Sequence, residues 1–175
     1  MRACKYELRP SRDQWAMDLT VLTGKRSTCC RRQVGCVLLN KRGHVLATGY
    51  NGVAAGLPHC NEVEPVIWNI NKTSPIEDPR QMYPQACKGA FSPSGTDLDA
   101  CQAIHAEQNA LLQCKDVYEL HTCYVTASPC MTCTKLLLNT SCERIVYLEE
   151  YPHSAAGELW QSAGLDWLNF NQLEA

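Results

Sequence analysis

The spacing of apolar residues changes several times along this chain, and each change marks an element. Ser11-Arg12-Asp13-Gln14 has the form of a capping box, and Trp15, Leu19 and Leu22 follow at helical spacing up to Gly24, which predicts a first helix. Residues 34–40 and 45–50 are short β-rich runs joined by Lys41-Arg42-Gly43-His44, so they form a hairpin with His44 a solvated turn residue. A helical pattern resumes near His105, with Ile104, Leu111 and Leu112 marking its buried stripe. Beyond it the chain reads as a strand over 122–127, a helix over 129–139, a strand over 144–148, a helix over 154–163 closed by Gly164, and a last strand over 166–170. The order α-β-β-α-β-α-β-α-β predicts an α/β fold, a mixed sheet of five strands flanked by helices.

Two stretches fall outside this rhythm. The loop from Gly49 to Gly56, with Tyr50 and Gly52 between, is rich in glycine and permits close backbone approaches, as a ligand cradle requires. Residues 57–98, including Ile76-Glu77-Asp78-Pro79, are proline-rich and show little periodicity. A structureless stretch this long inside a compact domain is either functional or held by something.

Candidate chemistry sits where strands hand over to helices. His105-Ala106-Glu107 supplies an imidazole and a carboxylate, and Ser128-Pro129-Cys130-Met131-Thr132-Cys133 supplies two thiols. Ser128 is a good N-cap and Pro129 a good first helical residue, which puts Cys130 and Cys133 in one first turn, on one face, where the helix terminus favours thiolate. One His and two Cys suit zinc and leave its fourth tetrahedral position open, the layout of a catalytic centre. Glu107 is then the carboxylate beside the metal, placed as a proton shuttle. A Cys-x-x-Cys on its own reads equally as a buried or redox pair; His-x-Glu opening the preceding helix is what favours the metal.

Composition adds a compartment and removes some partners. The 175 residues suit one domain, 1–175, with the long insertion at about 57–100. A net charge of −2 and only two Phe argue against a nucleic-acid partner. The short basic runs Lys25-Arg26 and Arg31-Arg32 fit either a solvated surface or a phosphate contact. The opening residues Met1 to Glu7 lack the apolar core of a secretory signal, and no run is long enough to span a membrane. Twelve cysteines are therefore expected in a reducing cytoplasm, as core residues (Cys36, Cys114, Cys123) or metal ligands. Cys29-Cys30, His59-Cys60, Cys87 and Cys101 lie before, within and at the end of the long insertion. A second, structural zinc there and a set of unconnected thiols are both open from spacing.

Taken together, His-x-Glu, Pro-Cys-x-x-Cys and the element order resemble the cytidine deaminase superfamily. Cys29-Cys30 ahead of Gln33-Val34-Gly35, Gly49-Tyr50-Asn51-Gly52 with Gly56, the insertion, and Val146-Tyr147-Leu148-Glu149-Glu150-Tyr151 make the chain most similar to deoxycytidylate (dCMP) deaminases of the bacteriophage type. The resemblance implies a three-layer α/β/α fold and a zinc-dependent enzyme converting dCMP to dUMP and ammonia, which would supply dUMP for thymidylate synthesis. It implies that His105, Cys130 and Cys133 hold zinc and that Glu107 moves protons. Asn51 would bind the sugar, Ala106 the base through its backbone, and Tyr151 the 5'-phosphate, with Ala127 and Ser128 also lining the substrate. It further implies an allosteric homohexamer in the cytoplasm, a host's if phage-encoded. dCTP would activate and dTTP inhibit, each bound with magnesium near Gly49, Tyr50, Gly52 and Gly56. Phage relatives carry a second zinc at positions that Cys29 and Cys60 match. Where they place a His before the catalytic helix this chain has Gly95, so Cys87 and Cys101 stand in as candidates; Lys115-Asp116 also depart from a phage pattern with Arg. The rivals are a cytidine or deoxycytidine nucleoside deaminase, a nucleic-acid editor, and a non-catalytic zinc module.

Overall fold

The computed structural model describes residues 9–62, 80, 82–93, 95–152 and 155–173. Met1 to Glu7, Ile76 to Pro79 and Ser154, on which the sequence reading touched, lie outside the described residues. Helix α1 (Arg12–Gly24) leads into strands β1 (Gly35–Asn40) and β2 (Val45–Tyr50). A two-stranded ribbon of β3 (Gly52–Val53) and β4 (Ala103–Ile104) brackets the insertion, which contains short 3-10 helices Lys88–Phe91 and Leu98–Ala100. Then come α2 (Ala106–Gln113), β5 (Leu120–Ala127), α3 (Met131–Leu138), β6 (Arg144–Glu149), α4 (Ala155–Ser162), β7 (Asp166–Asn169) and α5 (Phe170–Leu173).

The central sheet has five strands in the order β2-β1-β5-β6-β7. β1 is antiparallel to both β2 and β5, whereas β5–β6 and β6–β7 are parallel, each pair joined through a helix. Strand β1 alternates between two cores. Cys36 and Leu38 face Ala106, Ala110, Leu137 and Trp160 on the α2–α3–α4 side. Val37 and Leu39 face Met17, Tyr124, Val146 and Phe170 on the α1–α5 side. This is the three-layer α/β/α arrangement with a mixed sheet, and it puts the carboxyl ends of β5 and β6 beside the starts of two helices.

Both helices next to the hairpin make their closest approach through small residues, and only part of the stripe their spacing singled out, Leu19 and Leu111, packs at the core edge. Helix α2 buries Ala106, Glu107 and Ala110, while Leu112 is 76% exposed and Ile104 and Leu111 are half-buried. The reason is proximity: a Cβ on Gly49 would stand 2.3 Å from the Ala106 carbonyl oxygen and 2.4 Å from the Ala110 nitrogen. Helix α1 likewise turns Ala16, Met17 and Thr20 inward and leaves Trp15 and Leu22 exposed. There a Cβ on Gly35 would meet the Thr20 carbonyl oxygen at 2.1 Å.

The capping of α1 forms by half. Ser11 Oγ accepts the Gln14 N–H at 3.0 Å, but the Gln14 side chain donates to Asp18. Asp13, in the first turn of α1, accepts both Arg144 terminal nitrogens, at 2.7 and 3.0 Å, and the Tyr124 hydroxyl, tying α1 to β5 and β6. The last strand ends one residue early: Phe170 opens α5 and packs into the α1-side core.

Candidate active site

Two helix starts converge below the carboxyl ends of β5 and β6. His105 is the N-cap of α2, and its backbone N–H donates to Gln108 Oε1 at 2.9 Å, so the chain enters the helix at a fixed angle. Glu107 follows in the first turn and is buried, 4% exposed. The second start differs from the sequence expectation. Cys130, not Ser128, is the N-cap of α3. Ser128 remains with the sheet: its N–H donates to the Glu149 carbonyl at 2.9 Å and its hydroxyl accepts the Tyr151 N–H at 2.7 Å. With the β5–β6 ladder extended by that bond, the helix begins later, and Cys130 and Cys133 still share one side of its first turn.

The three donors meet. Both Sγ atoms lie 3.5 Å from His105 Nδ1, and one donor atom from each residue falls within 4.8 Å of the others. A tetrahedral ion with bonds of about 2.0–2.3 Å spaces its ligands by roughly 3.5 Å, so the donor set fits zinc with one position over. The protonation pattern fits as well. A hydrogen bond from Cys133, then one with His105, draws Cys130 down to about 4 against the effect of burial. Cys133 is pushed up by that same bond and by burial, so the pair holds one ready thiolate. His105 is raised, first by its hydrogen bond with Cys130. Burial lifts Glu107 above the ordinary carboxylate range, outweighing its backbone hydrogen bond and the His105 charge.

Above these groups opens a pocket that collects all five expected substrate residues: Asn51, Ala106, Ala127, Ser128 and Tyr151. Asn51 is committed on most sides. Its Oδ1 accepts from Ser27 Oγ and the Val34 N–H, and its Nδ2 donates to the Arg32 carbonyl, each at 2.7–2.8 Å, which leaves one amide hydrogen uncommitted on a residue that lines the pocket. Sequence reasoning left Arg31-Arg32 open between surface and phosphate contact; the structure puts both on the pocket wall. Gly95 lines it too. Gly49 spends its missing side chain on α2, the Tyr50 carbonyl accepts from Asn109 Nδ2 at 2.8 Å, and Gly52 approaches Thr28. Gly56, with φ +88°, has open space around it.

The thiols in and around the insertion gather beside this pocket. Cys60 and Cys87 are buried with Ala90, and Cys30 and Cys101 pack against them. The Cys87 N–H donates to Cys60 Sγ at 3.4 Å. Burial opposes ionisation of Cys87, but backbone donors at Gln102 and Gly89 and the neighbouring thiols lower it overall, while burial pushes Cys60 up to about 11. Cys29 and Cys101 reach the pocket wall. Among the described residues, the group of donors drawn within 4.8 Å of one another is the His105 set, so these thiols are neighbours without that convergence.

Residues 10–149 match the model of the cytidine and deoxycytidylate deaminase zinc-binding region. Deoxycytidylate deaminase of Schizosaccharomyces pombe is 36% identical over 160 residues, covering 90% of this chain and 43% of that protein. The deoxycytidylate deaminase of Mycobacterium phage D29 is 33% identical over 144 residues, 81% of this chain and 98% of the relative. This chain thus spans about two fifths of the yeast relatives it matches and nearly all of the phage one. In fold it is similar to the dCMP deaminase of cyanophage S-TIM5 solved with dCMP and dUMP, with a TM-score of 0.63, 22% identity, and coverage of 93% and 99%. With its paired helix starts, its convergent His and Cys donors and a family match running from α1 through β6, the chain belongs to the zinc-binding cytidine and deoxycytidylate deaminases.

Proposed function

We propose that this protein deaminates dCMP hydrolytically to dUMP and ammonia, with residues 1–175 acting as one deaminase domain carrying an insertion at about 57–100. The observation that carries the reading is a buried carboxylate, Glu107, set against three convergent soft donors at the inner end of a pocket. Relatives named deoxycytidylate deaminase in yeast and phage support the substrate class.

His105, Cys130 and Cys133 would hold a zinc ion, which when bound would acidify a water, bringing its pKa from ~15.7 towards ~7. Glu107 accepts a proton from the water that attacks C4 and donates it to ring N3. It then takes the remaining hydroxyl proton and passes it to the amino group, which leaves as ammonia. The raised proton affinity of Glu107 suits a group that must both accept and give a proton near neutral pH. The Ala106 backbone, Ala127 and Ser128 bound the base, the uncommitted Asn51 amide hydrogen meets the sugar, and Tyr151 lies towards the 5'-phosphate.

The reading extends to regulation and assembly. A second, structural zinc draws Cys29, Cys60, Cys87 and Cys101 together and pins the insertion. dCTP activates and dTTP inhibits, each with magnesium near Gly49, Tyr50, Gly52 and Gly56, in a cytoplasmic homohexamer. Among the described residues no helix is long and apolar enough to cross a membrane.

The test is ammonia release from zinc-loaded protein given dCMP alone, with dCTP and magnesium, or with dTTP and magnesium. Turnover stimulated by dCTP and suppressed by dTTP is expected. Turnover indifferent to both would remove the regulatory assignment and keep the chemistry. Turnover of deoxycytidine in preference to dCMP would make this a nucleoside deaminase.

A further inference from the structure

Residues 27–34, between α1 and β1, wrap around Asn51. The Asn51 N–H donates to the Val34 carbonyl at 3.1 Å, and the Asn51 carbonyl accepts the Thr28 N–H at 3.3 Å. These main-chain bonds fix the backbone of Asn51 but not its amide plane, because the last torsion of an asparagine side chain is soft.

The sense of that amide is set by partners that have no choice. The Val34 N–H can only donate and the Arg32 carbonyl can only accept, so Oδ1 meets the first and Nδ2 the second. Ser27, buried at 3% exposure, supplies the remaining bond. Its Oγ accepts the Cys29 N–H at 3.2 Å, which leaves the hydroxyl proton for Asn51, with Oδ1 at 2.7 Å and the main-chain oxygen at 2.9 Å. Two donors saturate Oδ1. Among the described residues, a single Nδ2 hydrogen is what the amide has left, on a residue that lines the pocket.

Resting on the sugar contact proposed above, we infer that Ser27 is a positioning residue for sugar recognition. By filling Oδ1 it makes Asn51 a donor only, and by pinning the amide plane it aims the spare hydrogen. Once its 5' oxygen is esterified, the sugar of dCMP keeps one hydroxyl, at 3', and a hydroxyl oxygen accepts such a hydrogen. Ser27 stands behind Asn51 and Cys29, which form the wall, so it acts through Asn51. The polarity of the sugar contact is set from the buried side of the pocket.

The experiment compares kcat/KM of the zinc-loaded full chain for dCMP and for 2',3'-dideoxycytidine 5'-monophosphate, which lacks only that hydroxyl. Wild type is expected to prefer dCMP about tenfold, the worth of one neutral hydrogen bond in a buried site. Ser27→Ala should cut the preference to about twofold, because the amide is then free to turn, and Ser27→Thr, which returns the hydroxyl, should restore it. If Ser27→Ala does not fold, Ser27→Cys carries the same test: a thiol is a weaker donor, and the preference should fall part of the way. Zinc content and melting temperature identify the folded variants. A role in stability alone would slow both substrates by one factor, so a folded Ser27→Ala or Ser27→Cys that keeps the full preference overturns this assignment and leaves the Asn51 contact standing. A wild type indifferent to the 3' hydroxyl overturns the Asn51 contact and this proposal together. Turnover of neither substrate overturns the dCMP reading itself.

Discussion

Two groups of cysteines stand within one pocket's reach of each other and differ in what holds them. Cys130 and Cys133 ride on the first turn of α3, opposite His105 at the first turn of α2, and the central sheet fixes both helices. Cys29, Cys60, Cys87 and Cys101 hang from loops, a 3-10 turn and the entrance to β4. The first group converges on one point; of the second, Cys60, Cys87 and Cys101 are only gathered into a small cluster. Convergence comes from rigid elements, so the first set is pre-built, whereas the second, carried by loops, is drawn to no common point among the described residues.

The sharpest way to break that contrast is to remove function from the pre-built set without disturbing its frame. Glu107→Gln should keep zinc and lower kcat by about 10²–10⁴-fold, measured as ammonia release against metal content. Substantial turnover in a zinc-replete variant would end the role given to Glu107. His105→Ala should lose metal and activity together, because two thiols without the imidazole leave an open, weak site. The loop-borne thiols should answer differently. Cys87→Ser is expected to release roughly half of the bound zinc and lower the melting temperature while activity per remaining folded molecule persists. If the zinc content of Cys87→Ser equals that of the parent, the thiol cluster holds no metal.

The frame itself has a titratable anchor. Arg144, first among the causes, holds Asp13 below the usual carboxylate range, against burial and with help from Tyr124. Because the folded state lowers this pKa, its stabilisation is complete above about 3.9 and disappears as pH falls through the still lower folded value. Asp13→Asn should therefore destabilise by about 1–3 kcal/mol at pH 7, with a difference that shrinks in acid unfolding curves. A constant difference down to pH 2 would detach the bridge from stability. The smallest effect is expected at the cap of α1, where Ser11→Ala should cost about 0.5–2 kcal/mol in chemical denaturation.

Much of this was legible beforehand because local rules agreed with the fold. The strand and helix order, the hairpin at Lys41-Arg42-Gly43-His44 and the His105, Cys130 and Cys133 meeting follow from periodicity and from residue types with few other uses in that spacing. Helix faces were misread where glycine in a strand lets a helix settle close. At Gly35 and Gly49 the neighbouring helix needs Ala and Thr at the closest approach, so Leu22 and Leu112 turn outward while Leu19 and Leu111 pack at the core edge. The start of α3 was misplaced because Ser128, a good cap in isolation, found better partners across the sheet in Glu149 and Tyr151. Arg31 and Arg32 could not be told apart in sequence. What separates them is which groups stand nearby, the Thr96 and Gly89 carbonyls for one and the Glu149 carboxylate for the other, a matter of tertiary placement.

Gly49 sets a limit on how this protein can diverge. It lies a strand away from the metal donors, yet the space its hydrogen occupies separates β2 from the first turn of α2, the turn that carries His105 and Glu107. Any larger residue would lift that turn and move the imidazole relative to two thiols anchored elsewhere. A library randomised at position 49 and sorted for activity should return glycine alone, although the residue contributes no atom to the chemistry. The clearance between a sheet and a helix thus constrains position 49 as tightly as chemistry constrains a catalytic side chain.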